Sequence, residues 1–273
     1  MPYRLLALDL DGTLLRSDGR VDDRDVAAIA ELRRSGATVT IVTGRLHSGA
    51  LDAARATGIS GLIACVEGSH LIDVTSSRTH AHHAMDPATT QVLRTAFGGH
   101  GLATFIFEQD GIHHDERGEP YARYVSTWSP RMRLVEEALD ERVWANKPLA
   151  AVAIGDEHSV IAAHAVVAAH ADRIFSVSFP VSQCPGKFAV LVRAAGPNKG
   201  TALAELCRLV GCTLDEAVAV GDWVNDVPMF EVAGRSFAMG GTPEHVRSKA
   251  TDTLESQTGG GGGIAEAIRR AWG

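Results

Sequence analysis

The sequence predicts an α/β fold: a parallel-sheet core into which an α+β segment is inserted. At both ends of the chain, apolar runs of strand length alternate with segments of helix length. This alternation is typical of βαβ units, whose strands pair in parallel. From about residue 85 to residue 194 it gives way to short strands and an alanine-rich helix. At 273 residues the chain is long enough for two domains. We expect one at 1–84 with 195–273 and the other at 85–194.

The N-terminal segment predicts three strands separated by two helices. The strands are expected at Tyr3–Leu8, Ala37–Val42 and Leu62–Val66. Asp22 or Asp23 can cap the first helix, because a carboxylate accepts hydrogen bonds from the free backbone N–H groups there. Gly36 is expected to end that helix, and the second helix ends near Gly58.

The C-terminal segment returns to the same alternation. The expected elements are a helix from Asn198 to about Val210, a strand at Ala217–Val220, a helix near 223–232, a strand at Ser236–Met239, a helix after Pro243 and a helix at Ile264–Trp272. Pro228 suits a first helical turn better than a helix interior, so the second helix is expected to begin near Asp226. Five consecutive glycines, Gly259–Gly263, predict a flexible linker.

The inserted segment predicts a mixed α+β domain. Its expected elements are a helix at Asp86–Phe97, strands at Leu102–Phe107, Ile112–His114 and Ala150–Ile154, a helix over 157–170, and strands at Arg173–Phe179 and Phe188–Val192. Asp110-Gly111 predicts a hairpin between the first two strands, because Asp-Gly is a strong turn signal. His80, His82 and His83 precede the insert and are expected in a solvated linker.

Composition excludes several classes of partner. The net charge of −7 and the pI near 5.9 argue against a nucleic-acid or anionic-membrane surface. No apolar stretch approaches the ~18 residues that a membrane helix needs, and no signal peptide is visible. The four cysteines are scattered rather than paired in a metal or disulfide pattern. We therefore expect a cytoplasmic protein with reduced thiols.

Two carboxylates follow the first predicted strand. Side chains alternate along a strand, so Asp9 and Asp11 leave its end on the same side. Gly12 then allows a sharp turn, since glycine tolerates positive φ. Two close carboxylates repel each other unless a cation or a proton separates them. The pattern favours a Mg²⁺-dependent phosphoryl-transfer site, and the alternative is a polar exit from the strand.

Further polar motifs occur where other predicted strands end. Thr43-Gly44 follows the second strand, Lys199 begins the helix after the insert, and Asp222 and Asp226 follow the late strand. Ligands of open α/β sheets bind at these carboxyl ends. Taken singly, the threonine and the aspartates would serve as helix caps and the lysine as a solvated residue. Taken together, in this order, they indicate one site.

The combined pattern resembles the haloacid dehalogenase superfamily, and within it the Cof-like subfamily IIB phosphatases with a type-2 cap. The matching signatures are Asp9-Leu10-Asp11-Gly12-Thr13-Leu14, Val42-Thr43-Gly44-Arg45, Asn198-Lys199-Gly200 and Gly221-Asp222-Trp223-Val224-Asn225-Asp226, and Ala238-Met239-Gly240 also looks like this family. The resemblance implies a Rossmann-like parallel-sheet core, formed by 1–84 and 195–273. It also implies an inserted α+β cap, residues 85–194, that closes over the active site.

The resemblance also implies roles for these residues. Asp9 would be the nucleophile that forms an aspartyl-phosphate, and Asp11 the general acid and then the general base. The Mg²⁺ ligands would be the Asp9 and Asp222 carboxylates with the Asp11 backbone carbonyl. Asp226 would lie behind them and orient Lys199 or a metal-bound water. The phosphoryl oxygens would be held by the Thr43 hydroxyl, the backbone N–H groups of Leu10 and Gly44, Lys199 and Asn225.

Some residues depart from the family pattern near the expected mouth of the site. Glu67-Gly68-Ser69 stands where relatives often carry Asn-Gly-Ala, and Trp223 occupies a place that is often small. Gly241 replaces a common asparagine, and the five glycines replace an acidic loop. In the insert, candidate leaving-group contacts are His113, His114, Arg123, Tyr124, Trp128 and Lys147, for which ordinary surface or hairpin roles are the alternative.

The expected function is a Mg²⁺-dependent phosphatase for small phosphomonoesters of the sugar or polyol phosphate kind. One alternative is a sugar phosphomutase, which returns the phosphoryl group to the substrate. Another is a non-catalytic protein that binds a phosphorylated metabolite. The expected partner is a small phosphorylated metabolite, with no nucleic acid and no membrane, and the protein is expected to be a monomer or a homodimer.

Overall fold

The computed structural model describes residues 3–109 and 111–273, and the chain divides into two compact units. We call the unit that extends to Gly44 and includes Ala50–Ala81 and Asn198–Gly273 the core unit. The other, Arg45–Gly49 with His82–Pro197, is the insert unit. The main part of the insert unit, His82–Pro197, therefore begins three residues before the predicted start at 85 and ends three residues after the predicted end at 194.

The short segment Arg45–Gly49 groups with the insert unit although the sequence placed it inside 1–84. Its hydrogen bonds explain this, because the Leu46 N–H donates to the Trp128 carbonyl over 3.0 Å. The Ser48 and Ser129 hydroxyls also lie 2.7 Å apart. That the core unit is catalytic and the insert unit acts as a cap stays a prediction.

The described residues form strands and helices along the whole chain. Strands β1 to β14 are Leu5–Leu8, Thr38–Ile41, Leu62–Cys65, His70–Asp73, Thr79–His82, Ala103–Phe107, Ile112–His114, Met132–Leu134, Ala150–Asp156, Ile174–Pro180, Lys187–Ala194, Ala217–Gly221, Arg235–Gly240 and Asp252–Gln257. Helices α1 to α10 are Asp23–Arg34, His47–Thr57, Pro87–Gly99, Glu119–Val125, Glu141–Trp144, Glu157–Ala168, Lys199–Val210, Val227–Val232, Glu244–Arg247 and Gly263–Trp272. No helix among them is both long and apolar enough to cross a bilayer.

The core unit contains the predicted parallel sheet, with strand order β14-β13-β12-β1-β2. All four residues of β1 are buried, which explains their continuous apolar sequence. One face of this sheet, including Leu5 and Ala217, packs against Leu203 of α7 and Phe230 of α8. A smaller sheet in the order β3-β4-β5 follows it, in which β3 and β4 pair antiparallel.

The insert unit contains a six-stranded sheet in the order β10-β11-β9-β6-β7-β8. Its pairs are antiparallel except for β7 with β8. Leu93 and Phe97 of α3 pack with Val160 and Val167 of α6 on one face of this sheet. The predicted hairpin is present as β6 and β7, although Asp110 at its turn lies outside the described residues.

Two local predictions are wrong. His80 and His82 lie in strand β5 rather than in a linker, and the His70 ring Nε2 lies 3.1 Å from the Thr79 hydroxyl. The five glycines form an ordered turn instead of a flexible linker. In it, Gly262 has φ +81°, and its N–H donates 2.8 Å to the buried carboxylate of Asp25. The same carboxylate accepts from the Ala265 N–H at 2.8 Å, so it caps the first turn of α10.

Candidate active site

The parallel pairing of β1 with β12 brings Asp9 and Asp222 to one edge of the core sheet. Leu8 pairs with Val220, and the Asp9 N–H donates to the Val220 carbonyl at 3.0 Å. Asp222 directly follows the end of β12. Both side chains are buried although they are carboxylates. Gly12 turns the chain beside them with φ +84°, and a side chain there would collide with the Asp222 carboxylate.

Lys199 is the cation of this cluster. It is the first residue of α7, whose start Asn198 caps by accepting from the Thr201 N–H at 2.9 Å. Its ammonium is 0% exposed and donates to Asp9 Oδ1 at 2.5 Å and to Asp226 Oδ1 at 2.6 Å. A buried ammonium group is costly unless it is paired in this way.

Burial and mutual charge shift the ionisation of the cluster. Burial alone would lower the pKa of the Lys199 ammonium, but the charges of Asp226 and Asp9 raise it well above its ordinary value. Burial raises the pKa of Asp9 well above its ordinary value, against the opposing charge of Lys199. Burial, followed by the charge of Asp226, raises the pKa of Asp222 to about 6. The single positive charge of Lys199 therefore does not neutralise the negative charge of the carboxylates. This excess negative charge favours the binding of a further cation.

The donor atoms fit a Mg²⁺ ion. Oxygens from Asp9, Asp222 and Asp226 lie within 4.8 Å of one another, and oxygen ligands are those that Mg²⁺ prefers. Asp226 is already engaged, because its Oδ2 accepts from the N–H groups of Asp222 at 2.8 Å and Trp223 at 2.9 Å. Its Oδ1 accepts from Lys199. Asp226 thus holds the loop and the lysine, and the choice of Asp9 and Asp222 as the carboxylate ligands stays a prediction.

Asp11 differs from its neighbour Asp9 because its side chain is exposed. Thr13 lies deeper, where its hydroxyl donates to Asp222 Oδ1 at 3.0 Å and fixes that carboxylate.

The remaining predicted phosphate-binding residues lie on neighbouring turns of the core unit. Thr43 is fully buried, and its N–H donates to the Ala64 carbonyl at 2.9 Å. Gly44 follows it, and Asn225 lies in the 3₁₀ turn Val224–Asp226. The Asn225 amide Nδ2 donates to Glu67 Oε1 at 2.9 Å. Their contact with a phosphoryl group stays a prediction.

Glu67 is the residue at this site that sequence reasoning did not include among the site residues. It lies in the tight turn after β3 with φ 55°, and its N–H donates to the Thr43 carbonyl at 3.0 Å. The departure from Asn-Gly-Ala marked this position as unusual, but it gave no indication that the carboxylate points toward Gly44 and Asn225. Trp223, the other unusual residue, has 57% of its surface exposed.

The candidate leaving-group contacts in the insert differ in their burial and in their side-chain contacts. His114 is buried, its Nδ1 lies 2.9 Å from the Asp115 carbonyl, and its ring packs on Phe105, which indicates a structural role. His113 Nδ1 lies 3.3 Å from Glu108 Oε1. The rings of Tyr124 and Trp128 meet edge to face with centroids 5.4 Å apart. Arg123 is exposed, and Lys147 has φ 54°.

Comparison with known proteins now assigns the family. A model of the haloacid dehalogenase-like hydrolase family matches residues 6–268. The chain belongs to this family. A curated relative, the HMP-PP phosphatase of Yersinia pseudotuberculosis serotype O:1b (strain IP 31758), is 27% identical over 243 residues, covering 87% of this chain and 84% of the relative. The predicted enzyme class, a haloacid dehalogenase-type phosphatase, is thereby confirmed.

Solved structures confirm the predicted fold. A haloacid dehalogenase-like hydrolase from Bacteroides thetaiotaomicron superposes with a TM-score of 0.85 at 23% identity, covering 98% of this chain and 99% of the other. A subclass IIB sugar phosphatase of the superfamily superposes with a TM-score of 0.80 at 18% identity, covering 98% of each chain. The resemblance to the Cof-like, subclass IIB branch therefore holds for the fold.

Proposed function

We propose that this hydrolase is a Mg²⁺-dependent phosphatase that cleaves small phosphomonoesters through an aspartyl-phosphate on Asp9. The observation that carries the proposal is the buried cluster in which Lys199 bridges Asp9 and Asp226 at 2.5 and 2.6 Å, with Asp222 beside them. A nucleophilic carboxylate, a fixed cation and oxygen donors for a metal are the groups that phosphoryl transfer requires.

In the first half of the reaction, Asp9 attacks the phosphorus atom. Lys199 holds Asp9 Oδ1, and no donor among the described residues reaches Oδ2, which we assign as the attacking oxygen. The new bond joins Oδ2 to phosphorus as the ester oxygen leaves, and Asp11 gives that oxygen its proton. Mg²⁺ would be held by Asp9, Asp222 and the Asp11 carbonyl, where its charge would offset the repulsion between the carboxylate and the phosphoryl oxygens.

In the second half, Asp11 accepts a proton from a water molecule that attacks phosphorus and releases Asp9. The exposed position of Asp11 suits this exchange. Throughout, the phosphoryl oxygens would be held by the Thr43 hydroxyl, the backbone N–H groups of Leu10 and Gly44, Lys199 and Asn225. These donors stabilise charge that develops in the transition state.

The substrate class is proposed from charge and from the relatives. A protein with a net charge of −7 repels polyanionic polymers. One relative is named an HMP-PP phosphatase and one structural neighbour a sugar phosphatase. We propose that residues 85–194 act as a cap that contacts the leaving group. The cytoplasmic location and the monomeric or homodimeric state stay predictions.

The test is the ratio kcat/KM for release of inorganic phosphate, measured over a panel of substrates. The panel contains sugar phosphates, HMP pyrophosphate, nucleotides, pyridoxal phosphate and a phosphopeptide, each with Mg²⁺ and with EDTA. We expect a small metabolite to be preferred. A phosphopeptide preferred tenfold or more over every small metabolite would overturn the proposed substrate class.

The same panel separates the alternative functions. A sugar phosphomutase would convert a hexose phosphate to its isomer, detected by NMR, without matching release of phosphate. A non-catalytic binding protein would release no phosphate even from para-nitrophenyl phosphate with Mg²⁺. We expect phosphate release without isomer formation.

A further inference from the structure

The turn after β3 has an unusual backbone that aims Glu67 at the active site. Val66, Glu67 and Gly68 have φ values of 49°, 55° and 93°, so two consecutive non-glycine residues adopt the left-handed region. A β-branched residue rarely does so, and such conformations persist only where the surroundings fix them. Here the Glu67 N–H donates to the Thr43 carbonyl at 3.0 Å, and the Ser69 N–H donates to the Val66 carbonyl at 2.9 Å.

The N-terminus of α7 packs closely against the same turn. A side chain at Gly68 would lie 2.8 Å from the Asn198 carbonyl and 2.8 Å from the Ala202 side chain. The turn is therefore fixed between the end of β2 and the start of α7.

The Glu67 carboxylate lies among groups that we assign to the phosphoryl oxygens. Its Oε1 accepts from Asn225 Nδ2 at 2.9 Å, and it is 2.5 Å from the place that a side chain on Gly44 would occupy. Its charge also contributes to the raised pKa of Lys199. The Asn225 Oδ1 is buried and has no partner among the described residues, so the carboxylate alone sets the direction of that amide.

We propose that the Glu67 carboxylate competes with the phosphoryl group at this site. The competition weakens the binding of phosphate and so favours its release. This inference rests on the proposed function of the same site. A phosphoryl oxygen and the carboxylate oxygen are both anionic acceptors, and both require the Asn225 amide. Phosphate must therefore share that amide with the carboxylate and lie beside its negative charge.

The test is the dissociation constant of inorganic phosphate, measured by titration calorimetry with Mg²⁺ on the full chain. Glu67→Gln keeps the length of the side chain and removes its charge. We expect phosphate to bind this variant about tenfold more tightly, since a neighbouring like charge shifts an ionic equilibrium by about one logarithmic unit or more. The inhibition constant of phosphate against para-nitrophenyl phosphate hydrolysis should fall by the same factor.

Two further variants complete the experiment. Glu67→Asn shortens the side chain and withdraws it from Asn225, and we expect it also to bind phosphate more tightly. Glu31→Gln removes one charge from the exposed surface of α1 and should leave the dissociation constant unchanged. If neither variant at position 67 binds phosphate more tightly than Glu31→Gln, the inference is overturned.

Failure of the proposed function gives a different result. A wild-type protein that neither hydrolyses phosphate esters nor binds phosphate would overturn both proposals. A wild-type protein that hydrolyses para-nitrophenyl phosphate, with unchanged phosphate affinity in both Glu67 variants, would overturn only the role of Glu67.

Discussion

Removing the charge of Lys199 should destabilise the metal-free protein strongly. Lys199→Met keeps most of the side-chain volume and removes the ammonium that touches Asp9 at 2.5 Å and Asp226 at 2.6 Å. Breaking a buried ion pair from one side typically costs about 3–5 kcal/mol, because it leaves uncompensated buried charge. Since Lys199 is fully buried and meets two carboxylates, we expect a loss in this range at pH 8.

The loss should become smaller toward acidic pH. In the variant the pKa of Asp9 rises further, because the charge of Lys199 that opposes the effect of burial is gone. A carboxyl whose folded-state pKa is raised stabilises the folded state below its unfolded value near 3.8, and this contribution is lost as the pH rises through the folded value. Protonation of Asp9 as the pH falls therefore relieves part of the repulsion that Lys199→Met creates.

The assay is urea denaturation in EDTA at pH 5 and pH 8. The matched control is Lys249→Met, at a lysine that is 52% exposed and lies 3.5 Å from Glu231, and it should change stability by no more than about 0.5 kcal/mol. A Lys199→Met variant within about 1 kcal/mol of the wild type at pH 8 would refute the electrostatic account of the site.

Further predictions concern the two catalytic aspartates, the affinity for Mg²⁺ and the cap of α10. Asp9→Asn should abolish turnover with the fold intact, and Asp11→Asn should lower kcat by about 10²–10⁴-fold, as expected for loss of general acid–base catalysis. Because the metal-free pKa of Asp222 is about 6, apparent Mg²⁺ affinity should fall about tenfold per pH unit below pH 6, measured by calorimetry. Asp25→Ala should cost about 2–4 kcal/mol in urea denaturation, since it leaves the buried Gly262 N–H and the half-buried Ala265 N–H of the α10 cap without an acceptor.

Each of these has a contradicting outcome. A tenth of wild-type rate in Asp9→Asn would exclude covalent catalysis by that residue. Mg²⁺ affinity that stays constant between pH 4.5 and 7 would contradict the raised pKa of Asp222. Because that pKa is raised, protonated Asp222 also stabilises the metal-free fold at acidic pH. For Asp25→Ala the control is the exposed neighbour Asp23→Ala, and an equal, small loss in both would show that Asp25 does not cap α10.

The site residues that directly follow a buried strand or begin a capped helix could be predicted from the sequence. Asp9 and Asp222 each follow a buried apolar strand, and parallel pairing necessarily brings the carboxyl ends of such strands together. Lys199 was predictable because Asn198 gives a clear helix start. No long-range information is needed for these positions beyond the sheet itself.

The parts that escaped prediction depend on long-range contacts or on weak patterns. Asp25 caps a helix 240 residues later in the chain, so nothing near Gly259–Gly263 indicates an ordered turn. In β14 only Leu254 is buried, which leaves no alternating apolar pattern to recognise. The direction of the Glu67 side chain depends on left-handed backbone at Val66 and Glu67, a conformation that neither residue type suggests.

The central claim is that Asp9 carries the phosphoryl group during turnover. The direct test mixes the protein with Mg²⁺ and excess para-nitrophenyl phosphate, stops the reaction in acid within milliseconds, and reduces any acyl phosphate with borohydride. Peptide mass spectrometry then locates the reduced residue. We expect homoserine at position 9, formed only when both substrate and Mg²⁺ are present. Hydrolysis that proceeds with Asp9 unmodified at every quench time, or with the modification at another carboxylate, would contradict it.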